Sequence, residues 1–242
     1  MTKIYPITLS ALILAIPSQA ATIYSDNFDD NSNTGWTYLD RSGGTAIVTA
    51  TGGGPGSPSF AEQNGQLEQT VTNYSFPDGT GGPQLGGIAL SGSGIIGGTY
   101  TISVTMDSLE AGNNFQDQVV VFGYVDEDNF AYIETIANGG ANLYSIVAGV
   151  RTNLGSTGIT FSHDPTNLDV LVDTAAGDVS LNYGGAGLTS LATGQTLTAG
   201  LNGVGSNNDA FSIDNYSIDA IPEPSSLALL GLAGLSLIRR RR

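Results

Sequence analysis

The chain has 242 residues, of which 34 are glycine and none is cysteine, and its formal net charge is −15. Of its 22 acids only Glu223 lies outside residues 21–220, and of its seven basic residues only Arg41 and Arg151 lie inside, so this stretch carries 21 acids against 2 bases, a net charge of −19. That balance excludes nucleic-acid binding, which requires Lys and Arg to displace counterions from phosphates. The lack of cysteine excludes a disulfide framework and a thiol nucleophile.

The first twenty residues have the pattern of a secretory signal peptide. A charge at Lys3 precedes an apolar stretch over 7–16, and Pro17 ends it. Small residues follow at the positions that a signal peptidase reads. The pattern predicts cleavage after Ala20 and an exported chain.

Residues 21–220 contain short alternating segments separated by Gly, Pro, Asn and Asp, a pattern typical of β-strands. No segment has helical periodicity, so we predict an all-β fold, an antiparallel β-sandwich of the jelly-roll type. A solenoid is the alternative, but no fixed repeat is present. The predicted strands are 22–25, 35–39, 46–49, 66–71, 87–90, 99–106, 118–124, 130–136, 143–147, 168–172, 179–183, 196–201 and 211–218.

Two of these strands carry specific expectations. Apolar and hydroxyl residues alternate over 99–106, which predicts one buried and one wet face. Residues 118–122 are more continuously apolar, which predicts a central strand.

The acids do not form a glycosidase-like pair in sequence. Hydrolysis by two carboxylates needs them a few ångströms apart across the bond. Glu62 and Glu68 are separated by an Asn-Gly turn, and Glu134 has no second acid on its own strand face, where Tyr132 is a neighbour. We therefore predict no catalytic residues and an outward-facing Glu134, while a partner acid from a neighbouring strand stays open.

Calcium is the candidate cofactor, because hard oxygen ligands are plentiful. Asp26, Asp29 and Asp30 flank the first strand, and Asp214 lies in the last. First and last strands are usually neighbours in jelly rolls, so these four carboxylates are the predicted metal site. The hairpin acids 126–128 are a second candidate, and turn and cap roles are the alternative for both groups.

A sugar site requires an exposed aromatic face together with amide or carboxylate groups. Burial in the core is the alternative for each ring. The predicted glycan contacts are Trp36, Tyr124 and Tyr132, with Tyr38, Tyr144 and Tyr183 as further candidates.

The last 22 residues combine three features. Pro222, Glu223 and Pro224 precede an apolar run over 225–238, which as a helix is about 21 Å long, shorter than the roughly 30 Å hydrocarbon core. A basic cluster at the end of an apolar run is a membrane stop at the cytoplasmic face. The pattern predicts a C-terminal hydrophobic helix that acts as a processed anchor. The stop consists of Arg239, Arg240, Arg241 and Arg242.

This order of parts resembles the PEP-CTERM sorting tail of Gram-negative bacteria. The resemblance implies recognition by an exosortase, a membrane protease that cuts near the motif. It also implies a transient inner-membrane anchor, then transfer to the cell surface or exopolysaccharide matrix. We divide the chain into a signal peptide (1–20), a sandwich domain (21–220) and a sorting segment (221–242).

Short motifs across the domain resemble the concanavalin-like and LamG-like jelly rolls of exported bacterial proteins. They are an Asp-Asn-Phe strand opening, a Trp, a Gly-Gln-Leu strand, an acidic hairpin and a closing Asp-Asn strand. Here they read 26–28, Trp36, 65–67, 123–130 and 213–216. The resemblance implies the fold and a tendency to contact glycans; a fold by itself does not give a function.

The sequence thus predicts an exported, non-catalytic protein that binds glycan or is a structural component of exopolysaccharide. One alternative is a glycan hydrolase or lyase of the same fold. The other is ice or surface adhesion, but the Thr-x-Thr segments 99–101 and 196–198 are isolated and do not form the flat ladder that ice binders usually present.

Overall fold

The computed structural model describes residues 20–32, 34–40, 48–49, 60–69, 87–108, 117–136, 139–161, 165–206 and 211–221. The predicted signal peptide, the C-terminal helix with its arginines and the Pro-Glu-Pro motif lie outside these ranges. Every helix or strand within them is a β-strand, as the composition predicts. The strands are β1 (Ala21–Asp26), β2 (Trp36–Asp40), β3 (Val48–Thr49), β4 (Phe60–Gln63), β5 (Gln66–Gln69), β6 (Gly87–Ser91), β7 (Thr99–Ser108), β8 (Asp117–Asp126), β9 (Asn129–Ile136), β10 (Ala141–Val147), β11 (Val150–Thr157), β12 (Thr166–Asp173), β13 (Asp178–Tyr183), β14 (Thr189–Ala192), β15 (Leu201–Ser206) and β16 (Phe211–Ala220).

These strands form two antiparallel sheets, which confirms the predicted sandwich. The first sheet has the order β14-β13-β12-β7-β16-β5-β4, and β1 also pairs with β16. The second sheet has the order β11-β10-β9-β8-β15-β6-β2-β3. First and last strands are therefore neighbours, as the jelly-roll prediction requires.

Strand β16 divides one of its edges between two partners. Residues 211–213 pair with β5, and residues 216–220 pair with β1. Between them the register against β7 shifts, and Asn215 adopts a φ of 52°. This bulge makes room for β1 and β5 beside the same strand.

The main hydrophobic core fills the space between the sheets. Residues 100, 102, 104 and 106 of β7 are buried there, while the hydroxyl residues between them are half-buried on the other face. Residues 119–122 of β8 are at most 1% exposed. Both expectations, a one-sided β7 and a central β8, are confirmed.

The strand predicted at 196–201 is misplaced, because the actual strand contains glycines that pack closely against a neighbouring strand. Residues 193–199 form no strand, and the strand predicted at 196–201 instead runs over 201–206 as β15. A side chain at Gly203 would collide with the Ala89 carbonyl, and one at Gly205 with the Gly87 carbonyl. The close pairing of β15 with β6 thus requires glycine at these positions. Glycine is rare in strands, so the sequence of β15 does not look like a strand.

The outer face of the second sheet is also apolar. Val119, Val121, Phe130, Tyr132 and Ile146 belong to a second buried cluster, separate from the core. Strand alternation puts their side chains opposite the residues that fill the core, so they lie on the outer face.

Candidate functional site

The Asp-Asn-Phe opening and the single tryptophan form one structural unit. Asp26 Oδ1 accepts the Phe28 backbone N–H at 2.8 Å, which holds Phe28 at a φ of 56°. Asp26 Oδ2 accepts Trp36 Nε1–H at 2.8 Å. The Trp36 ring packs against Phe28 at 5.6 Å and Tyr216 at 5.1 Å between centroids. The predicted metal ligand Asp26 is therefore a hydrogen-bond acceptor that fixes this aromatic group.

The other predicted metal ligands accept local hydrogen bonds as well. Asp29 Oδ2 accepts Asn27 Nδ2–H at 2.6 Å, and Asp30 Oδ1 accepts the Ser32 N–H at 3.0 Å. Asp214 Oδ1 accepts the N–H of its own neighbour in the β16 bulge at 2.7 Å. These are the turn and cap roles that the sequence leaves open for Asp.

A carboxylate that sequence reasoning missed joins this region from β4. Glu62 is 7% exposed, and its carboxyl interacts with Asp30. Burial, and then the charges of Asp26 and Asp30, raise the pKa of Glu62 to about 7. Local sequence could not reveal this, because the partner acids come from the end of β1 and from the β1–β2 loop, more than about thirty residues earlier.

Asp26, Asp29 and Asp30 lie at an open hollow of about 630 Å³. The other residues that line it are Ser25, Asn27, Asn215, Tyr216 and Ser217. Its lining offers carboxylate and amide oxygens, the kind of donor that calcium prefers. Within the described ranges no group of three or more His, Cys, Asp or Glu side chains is placed to hold a metal ion. Calcium needs six to eight converging oxygens, so the predicted site at these residues stays a prediction.

The acidic hairpin between β8 and β9 is built from turn contacts. Asp126 Oδ1 accepts the Asp128 N–H at 2.9 Å and Asn129 Nδ2–H at 2.7 Å. Asn129 Oδ1 in turn accepts the Ala148 N–H of the next hairpin at 3.1 Å. The two hairpins thus support each other at one end of the second sheet.

The outer face of the second sheet ends in a polar set on β10 and β11. Tyr144 lies between Tyr132 on β9 and Asn153 on β11. Asn142 pairs with Glu134 on the same face of the same two strands, two residues from the Tyr144–Tyr132 pair. We call Asn142, Tyr144, Arg151 and Asn153 the β10–β11 face. Asn153 is exposed and the other three are half-buried, so solvent reaches this end.

An aromatic and charged network holds this face in place. The Tyr132 and Tyr144 rings lie 5.2 Å apart, and Arg151 Cζ lies 4.8 Å from the Tyr144 ring centroid. Partial burial lowers the pKa of Arg151, but its interactions with Tyr132, Tyr144 and Glu134 together raise it above the ordinary value. Arg151 is the one Lys or Arg within the described ranges.

The three predicted glycan contacts have little exposed ring surface. Trp36 is 8% exposed and packs between the sheets, so its faces are occupied. Tyr124 and Tyr132 both belong to the outer cluster of the second sheet, at 7% and 0% exposure. Tyr132 pairs across the strands with Tyr144, which the sequence analysis gave only as a further glycan candidate. Tyr144 is half-buried and lies nearer the accessible edge of the sheet.

Two further predictions change with the structure. Glu134 is 5% exposed and lies next to Arg151, so the expectation of an outward-facing residue on a wet face is wrong. The alternation of β9 was read correctly, but the outer face of its sheet is not wet.

Residues 196–198 are not in a strand, so they form no Thr ladder for ice.

Comparison with solved structures defines the class of fold. The chain resembles a carbohydrate-binding module from Bacillus subtilis at a TM-score of 0.55 and 12% identity, covering 77% of this chain and 96% of that one. It resembles the VIP36 lumenal domain, described as bound to Ca²⁺ and Man3GlcNAc, at 0.52 and 10% identity, covering 85% and 92%. The fold is thus a lectin-like jelly roll.

A GH43 protein from Bacillus licheniformis also resembles the chain, at a TM-score of 0.54 and 16% identity. The match covers 81% of this chain and 39% of that one. Comparison with curated protein sequences finds no match.

The C-terminal segment has a more particular match. Residues 220–242 match the PEP-CTERM protein-sorting motif, so the chain carries that motif and the predicted resemblance is confirmed. The motif indicates a secreted protein that is held transiently at a membrane for sorting. Within the described ranges, no helix is long and apolar enough to cross a membrane.

Proposed function

We propose that the exported domain is a non-catalytic glycan-binding protein of the extracellular polysaccharide matrix, and that the β10–β11 face is its binding surface. The single observation that carries this proposal is the cross-strand set itself. An aromatic ring, two amides and a guanidinium lie together on two adjacent strands at the accessible end of an otherwise apolar sheet face. Aromatic stacking with a few placed polar groups is suited to sugar recognition.

Rigidity and charge support the same reading. Tyr144 packs on Tyr132 and lies under Arg151, so little side-chain entropy remains to be lost on binding. The stretch 21–220 has a net charge of −19, which disfavours polyanionic polymers at low salt. The proposed ligand class is therefore a neutral polysaccharide, with Arg151 donating to hydroxyl or acetamido oxygens.

The hydrolase or lyase alternative rests on Glu62, the buried acid beside Asp26 and Asp30. Its raised pKa is a property of a general acid. However, Asp26 and Asp30, whose charges contribute to this shift, accept hydrogen bonds from backbone N–H groups of Phe28 and Ser32, a structural role that competes with that of a nucleophile. We propose binding rather than hydrolysis, and release of sugar that disappears in Glu62→Gln or Glu134→Gln would favour the enzyme.

The sorting segment completes the proposal. An exosortase-type membrane protease recognises Pro222, Glu223 and Pro224, and the protein reaches the surface or matrix of a Gram-negative bacterium. The motif match supports this route. Replacing the three residues together should leave the protein in the membrane fraction with an uncut tail, whereas release equal to wild type would contradict it.

Calcium is not part of the proposed binding mechanism. One structural neighbour is described as Ca²⁺-bound, which keeps calcium possible for the fold. Asp26 and Asp30 instead accept hydrogen bonds from the backbone N–H groups of Phe28 and Ser32.

The experiment is a glycan array with the exported protein and two matched Asn variants. Asn153→Ala removes an exposed amide from the β10–β11 face, and Asn167→Ala removes an exposed amide from the outer face of the first sheet. We expect Asn153→Ala to weaken binding about fivefold or more and Asn167→Ala to leave it unchanged. Equal effects, or binding to alginate and sulfated glycans in place of neutral ones, would contradict the proposal.

A further inference from the structure

The folded domain holds the chain up to the residue before the sorting motif. Ala220, the last residue of β16, pairs with Ala21 of β1 on one side and with Tyr100 of β7 on the other. The Ile221 N–H then donates to the Thr99 carbonyl at 2.9 Å. Pro222, the next residue, is the first of Pro-Glu-Pro.

Both edges of this strand end are therefore in use. A cleft that reads extended peptide does so by pairing with a free strand edge. The end of β16 has a strand on each side, and the Thr22 hydroxyl also donates to Asp219 Oδ1 across the β1 pair at 2.6 Å. A protease can bind residues before Pro222 only if this three-strand arrangement separates.

We propose that the cut in the sorting tail falls on the C-terminal side of Pro224, and that the folded sandwich sets this upstream limit. Three residues of extended chain span at most about 10 Å, so a segment of that length can fill a cleft while β16 stays paired. This inference rests on the proposed processing of the tail and is independent of glycan binding.

The chemistry of the step follows from peptide cleavage. The scissile C–N bond breaks, and its carbonyl carbon passes to a nucleophile, either water or the hydroxyl or amine of an acceptor. The proton of that nucleophile goes to the amine of the released C-terminal segment. The retained protein therefore ends in a free carboxylate or in an acceptor adduct, which differ in mass.

The first test is mass spectrometry of the released full-chain product from cells that contain the exosortase. We expect a C-terminal peptide that includes Pro222, Glu223 and Pro224. A product that ends at or before Glu223 would overturn this inference while keeping the proposed processing. A tail intact through Arg242 would overturn the processing itself.

The second test pins the strand end. Ala21 and Ala220 are paired in register, so their Cα atoms lie at about 4.5–5.5 Å, which suits a disulfide. The chain has no cysteine of its own, so Ala21→Cys with Ala220→Cys forms one defined crosslink in an oxidising compartment. The matched controls are the two single variants.

We expect the crosslinked protein to be released at the same rate and cut at the same bond as the single variants. Loss of release that reductant restores would show that β16 must separate from β1, and this would overturn the inference. N-terminal sequencing checks that the Ala21→Cys change leaves signal-peptide removal intact, and Thr22→Cys with Asp219→Cys is the second pair if it does not.

Discussion

The two outer faces of the sandwich differ although both come from antiparallel strands with the same alternation. On the first sheet, hydroxyl residues of β7 meet polar partners on β12. Thr105 bonds Asn167 at 2.7 Å, and Thr99 bonds Asp173 at 3.1 Å. On the second sheet, the corresponding positions are apolar and aromatic, and Val121 and Tyr132 are fully buried.

The difference indicates what each face does. A sandwich needs only its inner faces to be apolar, so a wet outer face is the ordinary condition. The apolar outer face of the second sheet goes beyond what the core requires and ends in the accessible β10–β11 face. The first sheet therefore presents a polar outer face, and the second carries the surface that we propose for binding.

The largest expected effect tests that the two outer faces differ in burial. Val121→Asn introduces an amide into the apolar outer cluster, and we expect the free energy of unfolding to fall by about 3 kcal/mol. Ser103→Asn, the matched change on the first sheet, should cost less than about 1 kcal/mol. Urea unfolding measures both, and equal losses would mean that the faces do not differ.

The next effect concerns the acidic end of the first sheet. Asp26→Ala removes the acceptor of Phe28 N–H and Trp36 Nε1–H, so we expect a loss of about 2–3 kcal/mol. Asp29→Ala, at an exposed residue, should cost about 0.5 kcal/mol. A similar loss for both variants in thermal unfolding would point to a shared ligand in place of the separate hydrogen bonds.

A pH dependence follows from Glu62. Its folded pKa of about 7 lies above its ordinary value of 4.5, so the native state binds more protons between these values. The contribution of Glu62 to stability is then fully present below about pH 4.5 and is lost as pH rises through 7. We expect Glu62→Gln to remove a fall on the order of 1–2 kcal/mol across this window. Unfolding curves with the same pH dependence in wild type and variant would show that Glu62 does not titrate there.

The smallest expected effect is that of calcium. A bound ion at about a hundred times its dissociation constant would add about 2.7 kcal/mol, a shift of several degrees in a domain of this size. Because Asp26, Asp29 and Asp30 accept hydrogen bonds from neighbouring groups of the chain, we expect melts in excess calcium and in excess chelator to agree within about 1 °C. A shift of several degrees that Asp30→Ala removes would restore the calcium prediction.

Sequence reasoning recovered the parts of the fold that alternation encodes. The sandwich, the one-sided β7 and the central β8 follow from the spacing of apolar residues, and the sorting motif follows from a contiguous pattern. β15 was misplaced because Gly203 and Gly205 pack closely against β6 and give no apolar signal.

The candidate site was harder to predict because its members come together only across strands. Tyr144, Arg151 and Asn153 belong to adjacent strands whose register the sequence does not reveal. Asp26 was predicted to bind a metal because carboxylates cluster in its part of the sequence. Its hydrogen bonds with Phe28 and Trp36 depend on the fold and are not visible in the sequence. The same limit concealed the contact of Glu62 with Asp30.

The most direct test of the central claim is the retardation of the exported protein in native gels that contain the matrix polysaccharide of its host. Tyr144→Ala removes the ring of the β10–β11 face. Tyr183→Ala removes a half-buried ring that packs on Phe161 in the first sheet, at 4.4 Å between centroids, and so matches it for lost packing. We expect wild type and Tyr183→Ala to be retarded alike and Tyr144→Ala to lose about tenfold or more in affinity. Retardation of Tyr144→Ala equal to that of Tyr183→Ala would contradict the account.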